Sequence, residues 1–289
     1  MTQTWGRMLD GWRLHIVHET GFTYDGEARG SYNEARLTPA TLDTQSVLGA
    51  ELRIDPVNGR YPYVDYWGNR VIAFQIDESH RDLKVTSEVT IETSAGTEIL
   101  EPYTHDDLEA SMLLDLLDEY LLQTERTELP PDTVEELRSA TRSLDLHETA
   151  QAVSAHVRSL LKYTPGATGV QTSASEALIV GSGVCQDFTH LALGLLRSAG
   201  IPARYVSGYL HPDTDAQVGQ VSQGESHAWV EYFADGWHPF DPTSGSVVGP
   251  RHVVIARGRD YFDAAPLKGI YHGAPATALG VSVTITRLA

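Results

Sequence analysis

Apolar positions in the first hundred residues fall into short alternating runs with no helical period. The stretch 12–20 mixes β-branched and aromatic residues with partial alternation, and similar runs follow at 46–54, 70–76 and 83–92. In the last of these Val85, Ser87, Val89 and Ile91 recur at a period of two, which places them on one face of a strand. Turn chemistry separates the runs, at Tyr24-Asp25-Gly26, Pro56-Val57-Asn58-Gly59 and Gly68-Asn69. The pattern predicts an antiparallel, sandwich-like β-domain over residues 1–105. Near residue 106 the period lengthens. Met112, Leu113, Leu116, Leu117 and Tyr120 predict an amphipathic helix over 108–122 with acids on its other face. Pro130-Pro131-Asp132 opens a second helix, 146–161 reads as a third and 173–179 as a short fourth. Phe188, Leu191, Ala192, Leu195, Leu196 and Ala199 then mark a strong helix over 185–199, ended by Gly200 with Pro202 just beyond. Strands are expected at 203–210, 226–233, 236–240, 252–256 and 279–286. The order predicts an α+β protein whose second unit, 106–289, opens with helices at 106–148 and packs one helix on an antiparallel sheet.

Composition narrows the function classes. The 289 residues are 41% hydrophobic and 21% charged, which excludes a disordered, collagenous or disulfide-scaffold chain. The 21 Lys and Arg against 39 Asp and Glu give a net charge of −18, so nucleic acid and an anionic membrane surface are poor partners. The charge is uneven: residues 1–105 carry −7, 106–148 carry −10, and 149–289 carry −1. No window is apolar enough to span a membrane, and the N-terminus has no apolar signal core, so a cytoplasmic protein is expected. Cys185 is the one cysteine, which fits a reducing compartment.

Cys185 is also the residue best placed for chemistry. Gly181-Ser182-Gly183 delivers it to the first turn of the predicted 185–199 helix, where unpaired N–H groups and the positive end of the helix dipole favour a thiolate. The same N–H groups can stabilise an oxyanion. A thiolate nucleophile needs a base, and the base needs an orienting group. His227 begins a strand, a turn at Ala234-Asp235-Gly236 folds the chain back, and Asp241 follows fourteen residues later. That hairpin brings His227 and Asp241 into contact. Taken singly, Cys185 reads as a small buried residue, His227 as a strand-end histidine and Asp241 as a turn residue; their conjunction carries the weight. Tyr163 is a weaker candidate for a second oxyanion donor, beside the backbone amide of Cys185. Gln186 follows the nucleophile and is not expected to serve there. His190 lies about 140° round the helix from Cys185 and reads as structural. His238 is a runner-up base. No metal is expected: zinc and calcium motifs are missing, and His15 and His18 fall on opposite faces of a strand.

In these residues the chain resembles the transglutaminase-like superfamily, relatives of papain-like cysteine proteases. The resemblance is carried by Gly183-Val-Cys185-Gln-Asp-Phe-Thr-His-Leu-Ala, Ala199-Gly-Ile-Pro-Ala-Arg204-Tyr-Val-Ser-Gly208-Tyr, His227-Ala-Trp-Val-Glu and Gly236-Trp-His-Pro-Phe-Asp241-Pro-Thr. Ser31-Tyr-Asn-Glu-Ala-Arg36-Leu-Thr-Pro39 and Asp65-Tyr-Trp67-Gly-Asn69 resemble the β-rich domain that precedes this core in bacterial members. The resemblance implies a papain-like core with Cys185 as nucleophile, His227 as base and Asp241 as orienter, working without a cofactor on a peptide or protein substrate. Water as acceptor makes a cysteine peptidase or amidase; an amine makes a transglutaminase or isopeptide ligase. Hydrolysis ranks first. A catalytically silent peptide-binding or assembly module is the alternative from another class.

Overall fold

The computed structural model describes residues 11–94, 101–278 and 280–289. The extreme N-terminus, read above for targeting, lies outside the described residues, as do 95–100 of the interdomain boundary and Leu279 of the last predicted strand. The N-terminal strands are β1 (Trp12–Thr38), β2 (Gln45–Asp55), β3 (Gly59–Val64), β4 (Arg70–Ile76) and β5 (His80–Thr93). Helices α1 (His105–Ala110), α2 (Leu114–Leu117), α3 (Pro131–Thr141) and α4 (Leu146–Leu160) follow. Then come β6 (Lys162–Tyr163), α5 (Ala174–Val180), β7 (Ser182–Gly183), α6 (Cys185–Ser198), β8 (Ala203–Leu210), β9 (Val221–Phe233) and β10 (Trp237–Phe240). The chain closes with β11 (His252–Gly258), α7 (Tyr261–Ala264), β12 (Leu267–Gly273), β13 (Ala276–Ala278) and β14 (Ser282–Arg287). The α+β architecture with an antiparallel N-terminal β region is present.

Strand β1 organises the N-terminal region. Its first half lies between β5 and β14, and its second half pairs with β4 and β12. The residues read as a turn, Tyr24-Asp25-Gly26, fall inside β1 where it changes partners, at a register break between Thr23 and Ala28. The alternation read in 85–91 is the burial pattern of β5, whose Val85, Ser87, Val89 and Ile91 face inward. Strands β3, β12 and β13 were not legible in the sequence, being short or largely exposed with weak alternation.

The helix predicted over 108–122 is broken. Helix α1 stops at Ala110, Met112 takes a left-handed φ of 57°, and α2 gives way to one 3-10 turn at Asp118–Tyr120. Leu108 and Leu117 are buried, while Met112 and Leu116 stand in solvent. Leu108 and Leu117 belong to one core cluster, yet nine residues apart they would fall on opposite faces of a continuous helix, and the break lets both turn inward. Arg197 of α6 is buried and donates to the carbonyls of Tyr120 at 3.1 Å and Leu122 at 3.2 Å. The same guanidinium also donates to Ala203 O, Thr127 Oγ1 and Arg259 O, so the end of the segment is tied to α6 through a shared buried group.

Helix α6 is the centre of the second core. Phe188, Leu191, Ala192, Leu193, Leu195 and Leu196 are each 2% exposed or less, so it is apolar on nearly every side, as a central helix must be. Gly200, at φ 79°, follows it as predicted. Strands β11, β8 and β9 pair in that order beside it, with β10 hairpinned onto β9.

The two units are sewn together. Strand β14 pairs with β1 on one side and with the first residues of β9 on the other, joining twelve of the described strands into one sheet. Strands β12 and β13 also return to β1, so 267–287 packs with the first hundred residues. The outer edge of β11 is closed by two side-chain amides. Gln45 exchanges hydrogen bonds with Val254 N and O, both 2.9 Å, and Asn69 does the same with Arg257 N at 2.7 Å and O at 2.8 Å. Each mimics the strand that would otherwise pair there. No described helix is long and apolar enough to cross a membrane.

Candidate active site

Cys185 is the first residue of α6, following an extended Val184. Valine cannot cap a helix, and Asp187 takes over: its Oδ2 accepts from Val184 N at 2.7 Å and from Thr168 Oγ1 at 2.6 Å. Gly183 is required for this, because a Cβ there would lie 2.5 Å from the Asp187 carboxylate. Burial raises the Asp187 carboxyl above its ordinary value, against these hydrogen bonds. Gln186 Nε2 donates to Val170 O at 3.1 Å, so the first turn of α6 also holds the loop before α5. The backbone amide of Cys185 has no acceptor among the described residues, which leaves it available to an oxyanion.

The hairpin of β9 and β10 does what its arithmetic required. Phe240 pairs with Val230, and Asp241 just beyond meets His227, with His227 Nε2 3.0 Å from Asp241 Oδ2. Asp241 is fully buried and held by further donors: Ser244 Oγ at 2.6 Å on Oδ2, and Thr243 N at 2.9 Å on Oδ1. Cys185 lies close enough to His227 to favour its charged form. Since Nε2 serves Asp241, the nitrogen left for the sulfur is Nδ1. Burial alone would lower the His227 imidazole; its bond to Asp241, the proximity of Cys185 and the charges of both outweigh it and raise the group above the ordinary histidine value. Burial works against the Asp241 carboxylate too, and the His227, Ser244 and Thr243 bonds overcome it and hold it below the usual range. Both directions favour an ionised pair.

Trp229 roofs this pair. It is completely buried and stacks on His227 at 6.1 Å between centroids, 30° between planes. Gly208 makes the space: a Cβ there would meet the Trp229 ring at 2.5 Å and Val253 O at 2.1 Å.

The remaining candidates are elsewhere. Tyr163 pairs with Gly183 through β6 and β7, beside the strand that leads to Cys185, and its ring lies 6.4 Å from that of Phe188. Gln186 is committed to Val170. His190 is buried, accepts from Tyr261 N at 3.1 Å, and is pushed down to about 3 chiefly by burial, so it stays neutral. His238 bonds Asp235 at 2.6 Å. His15 bonds Glu88 and His18 bonds Tyr209, on separate sides of β1. Two groups among the described residues bring ligating atoms within 4.8 Å of one another, His147/Asp235/His238 and His227/Asp241/His252. Sequence spacing could not show either, because each gathers residues from separate elements. Sequence reasoning also missed Thr243 and Ser244 as supports of Asp241. The signal was present in the Asp-Pro-Thr-Ser run, whose polar groups fold back on their own aspartate.

The geometry can be set beside known proteins. The transglutaminase-like superfamily model matches residues 132–242, which include Cys185, His227 and Asp241, and the bacterial transglutaminase-like N-terminal region matches residues 14–92. The chain belongs to the transglutaminase-like superfamily. An uncharacterized protein of Mycobacterium leprae is 44% identical over 281 residues, covering 96% of this chain and all of that one. A protein-glutamine gamma-glutamyltransferase of Pseudomonas aeruginosa is 35% identical over 124 residues, 38% of this chain and 18% of that protein. Among solved structures, a candidate cysteine protease from Cytophaga hutchinsonii shares the fold, with a TM-score of 0.78 at 21% identity over 97% of this chain and 92% of that one.

Proposed function

We propose that the chain is a thiol acyl-transfer enzyme, a cysteine peptidase or amidase acting on a peptide or protein substrate. The observation that carries this reading is the buried 3.0 Å His227–Asp241 hydrogen bond, with Cys185 at the start of α6 close enough to favour the charged imidazole. Cys185 Sγ attacks the carbonyl carbon as a thiolate, and the new oxyanion accepts a hydrogen bond from the Cys185 amide. The C–N bond breaks, and the imidazolium of His227 gives its Nδ1 proton to the leaving amine. Water then attacks the thioester, passing a proton back to His227. The C–S bond breaks, releasing the acid, and the thiolate–imidazolium pair is restored. Asp241 holds the Nε2–H tautomer throughout and stabilises the imidazolium.

An amine in place of water would make the same acyl-enzyme a transglutaminase or isopeptide ligase, and the Pseudomonas relative bears a name of that kind. Hydrolysis is preferred because it requires no second organic substrate. Incubation of wild type and Cys185→Ala with a peptide library, with and without a primary amine, separates the cases by mass spectrometry. Hydrolysis products made by wild type alone support the reading. Amine adducts transfer it to the second activity. Identical products from both proteins remove Cys185 from the chemistry.

A further inference from the structure

Among the buried titratable groups that this chemistry leaves unused, His252 is built against the His227–Asp241 pair. It opens β11 and is 5% exposed. The amide of Gly249 donates to its Nδ1 at 3.2 Å, so the proton of the neutral ring sits on Nε2. That Nε2 is buried and has no hydrogen-bond partner among the described residues. The ring lies 6.2 Å from that of His227 and edge-on to Trp229 at 5.3 Å. A ring nitrogen of His252, one of His227 and a carboxylate oxygen of Asp241 fall within 4.8 Å of one another. Burial first, and the positive charge of His227 next, push His252 down to about 4, so it is neutral when His227 is charged. A buried N–H left without an acceptor is costly, and the anion in this group is Asp241. The three residues are a poor metal site, because the Gly249 bond keeps a proton on the nitrogen that would have to bind.

We propose that His252 is a positioning residue for Cys185, His227 and Asp241: a neutral, buried ring beside the Asp241 carboxylate and the His227 imidazole whose unpaired N–H steadies that charged pair through its dipole, without a formed hydrogen bond. The inference rests on the triad reading, and one assay distinguishes the two. The rate of Cys185 alkylation by iodoacetamide at pH 6 is compared in wild type, His227→Ala, His252→Phe and His252→Gln. Phenylalanine keeps a ring without the N–H; glutamine keeps an N–H donor without the ring. Loss of this N–H predicts a rate about tenfold lower in His252→Phe, with His252→Gln within about threefold of wild type. A role in packing alone would favour phenylalanine over glutamine. If His252→Phe does not fold, by far-UV circular dichroism, His252→Leu replaces it in the comparison. Wild type faster than His227→Ala, with the apolar variant equal to wild type or glutamine no better than it, overturns the role of His252 alone. Wild type no faster than His227→Ala overturns the triad reading, and this inference with it.

Discussion

At the scale of the residue, the site depends on a charge held out of water. Asp241 is fully buried, and its carboxylate is kept ionised by the imidazole, hydroxyl and amide donors around it. Asp241→Asn preserves an oxygen that can accept from His227 Nε2–H but removes the charge that favours the imidazolium. It should slow Cys185 alkylation at pH 6 less than Asp241→Ala, which leaves a buried N–H unpaired at about 1–3 kcal/mol. Equal rates in the two variants would mean that Asp241 does not orient His227. Stability carries a matching signature. His227 is raised in the fold, so its contribution is complete below about 6.5 and fades as pH rises through the folded value. Asp241 is depressed, so its contribution is complete above about 3.9 and is lost as pH falls through the folded value. The difference in unfolding free energy between wild type and Asp241→Ala should therefore be largest between about pH 4 and 6.5. A difference that does not vary with pH would contradict the ionised pair.

At the scale of the element, the sequence reading succeeded where local rules agree with packing. Helix α6 has an apolar pattern, a glycine stop and a buried environment that all say helix, and it starts and ends within a residue of its predicted bounds. The segment 108–122 failed because its local pattern conflicts with a tertiary demand: Leu108 and Leu117 both enter one core, which a continuous helix would set on opposite faces. The glycines of the packed elements give a direct test. Gly194 sits in α6 where a Cβ would approach Thr127 O to 2.2 Å, and Gly208 in β8 faces Val253 O and Trp229. Overpacking of this kind costs typically about 1–3 kcal/mol, so Gly194→Ala and Gly208→Ala should each lower the unfolding free energy measured in urea by about that much. Gly236→Ala, which meets nothing within 4 Å, is the control. If all three behave alike, the close approaches are not real constraints.

At the scale of the whole molecule, the candidate triad was legible before the fold that supports it. The hairpin that joins His227 to Asp241 is local arithmetic, and Cys185 is joined to them by the resemblance of the motifs around all three to the transglutaminase-like superfamily. His252, the amide clamps of Gln45 and Asn69, and the return of β12–β14 to β1 depend on contacts between distant parts of the chain, and no local pattern encodes them. The united sheet places buried neutral histidines in both units. Burial lowers His18 and His252 to about 4 and His190 to about 3. A histidine depressed in the fold binds its proton more readily when unfolded, so each withdraws stability as pH falls below about 6.5. Urea unfolding at pH 7 and pH 4.5 should show a clear fall at the lower pH. Undiminished stability at pH 4.5 would mean that these rings are already charged in the fold.

The central claim is that His227, held by Asp241, activates Cys185. The pH–rate profile of Cys185 alkylation by iodoacetamide, in wild type and His227→Ala, tests it without knowledge of the substrate. The account predicts rapid alkylation of wild type that persists well below the ~8.5 midpoint of an ordinary thiol, and its loss at those pH values in His227→Ala. Superimposable profiles with an ordinary thiol midpoint in both proteins would contradict it.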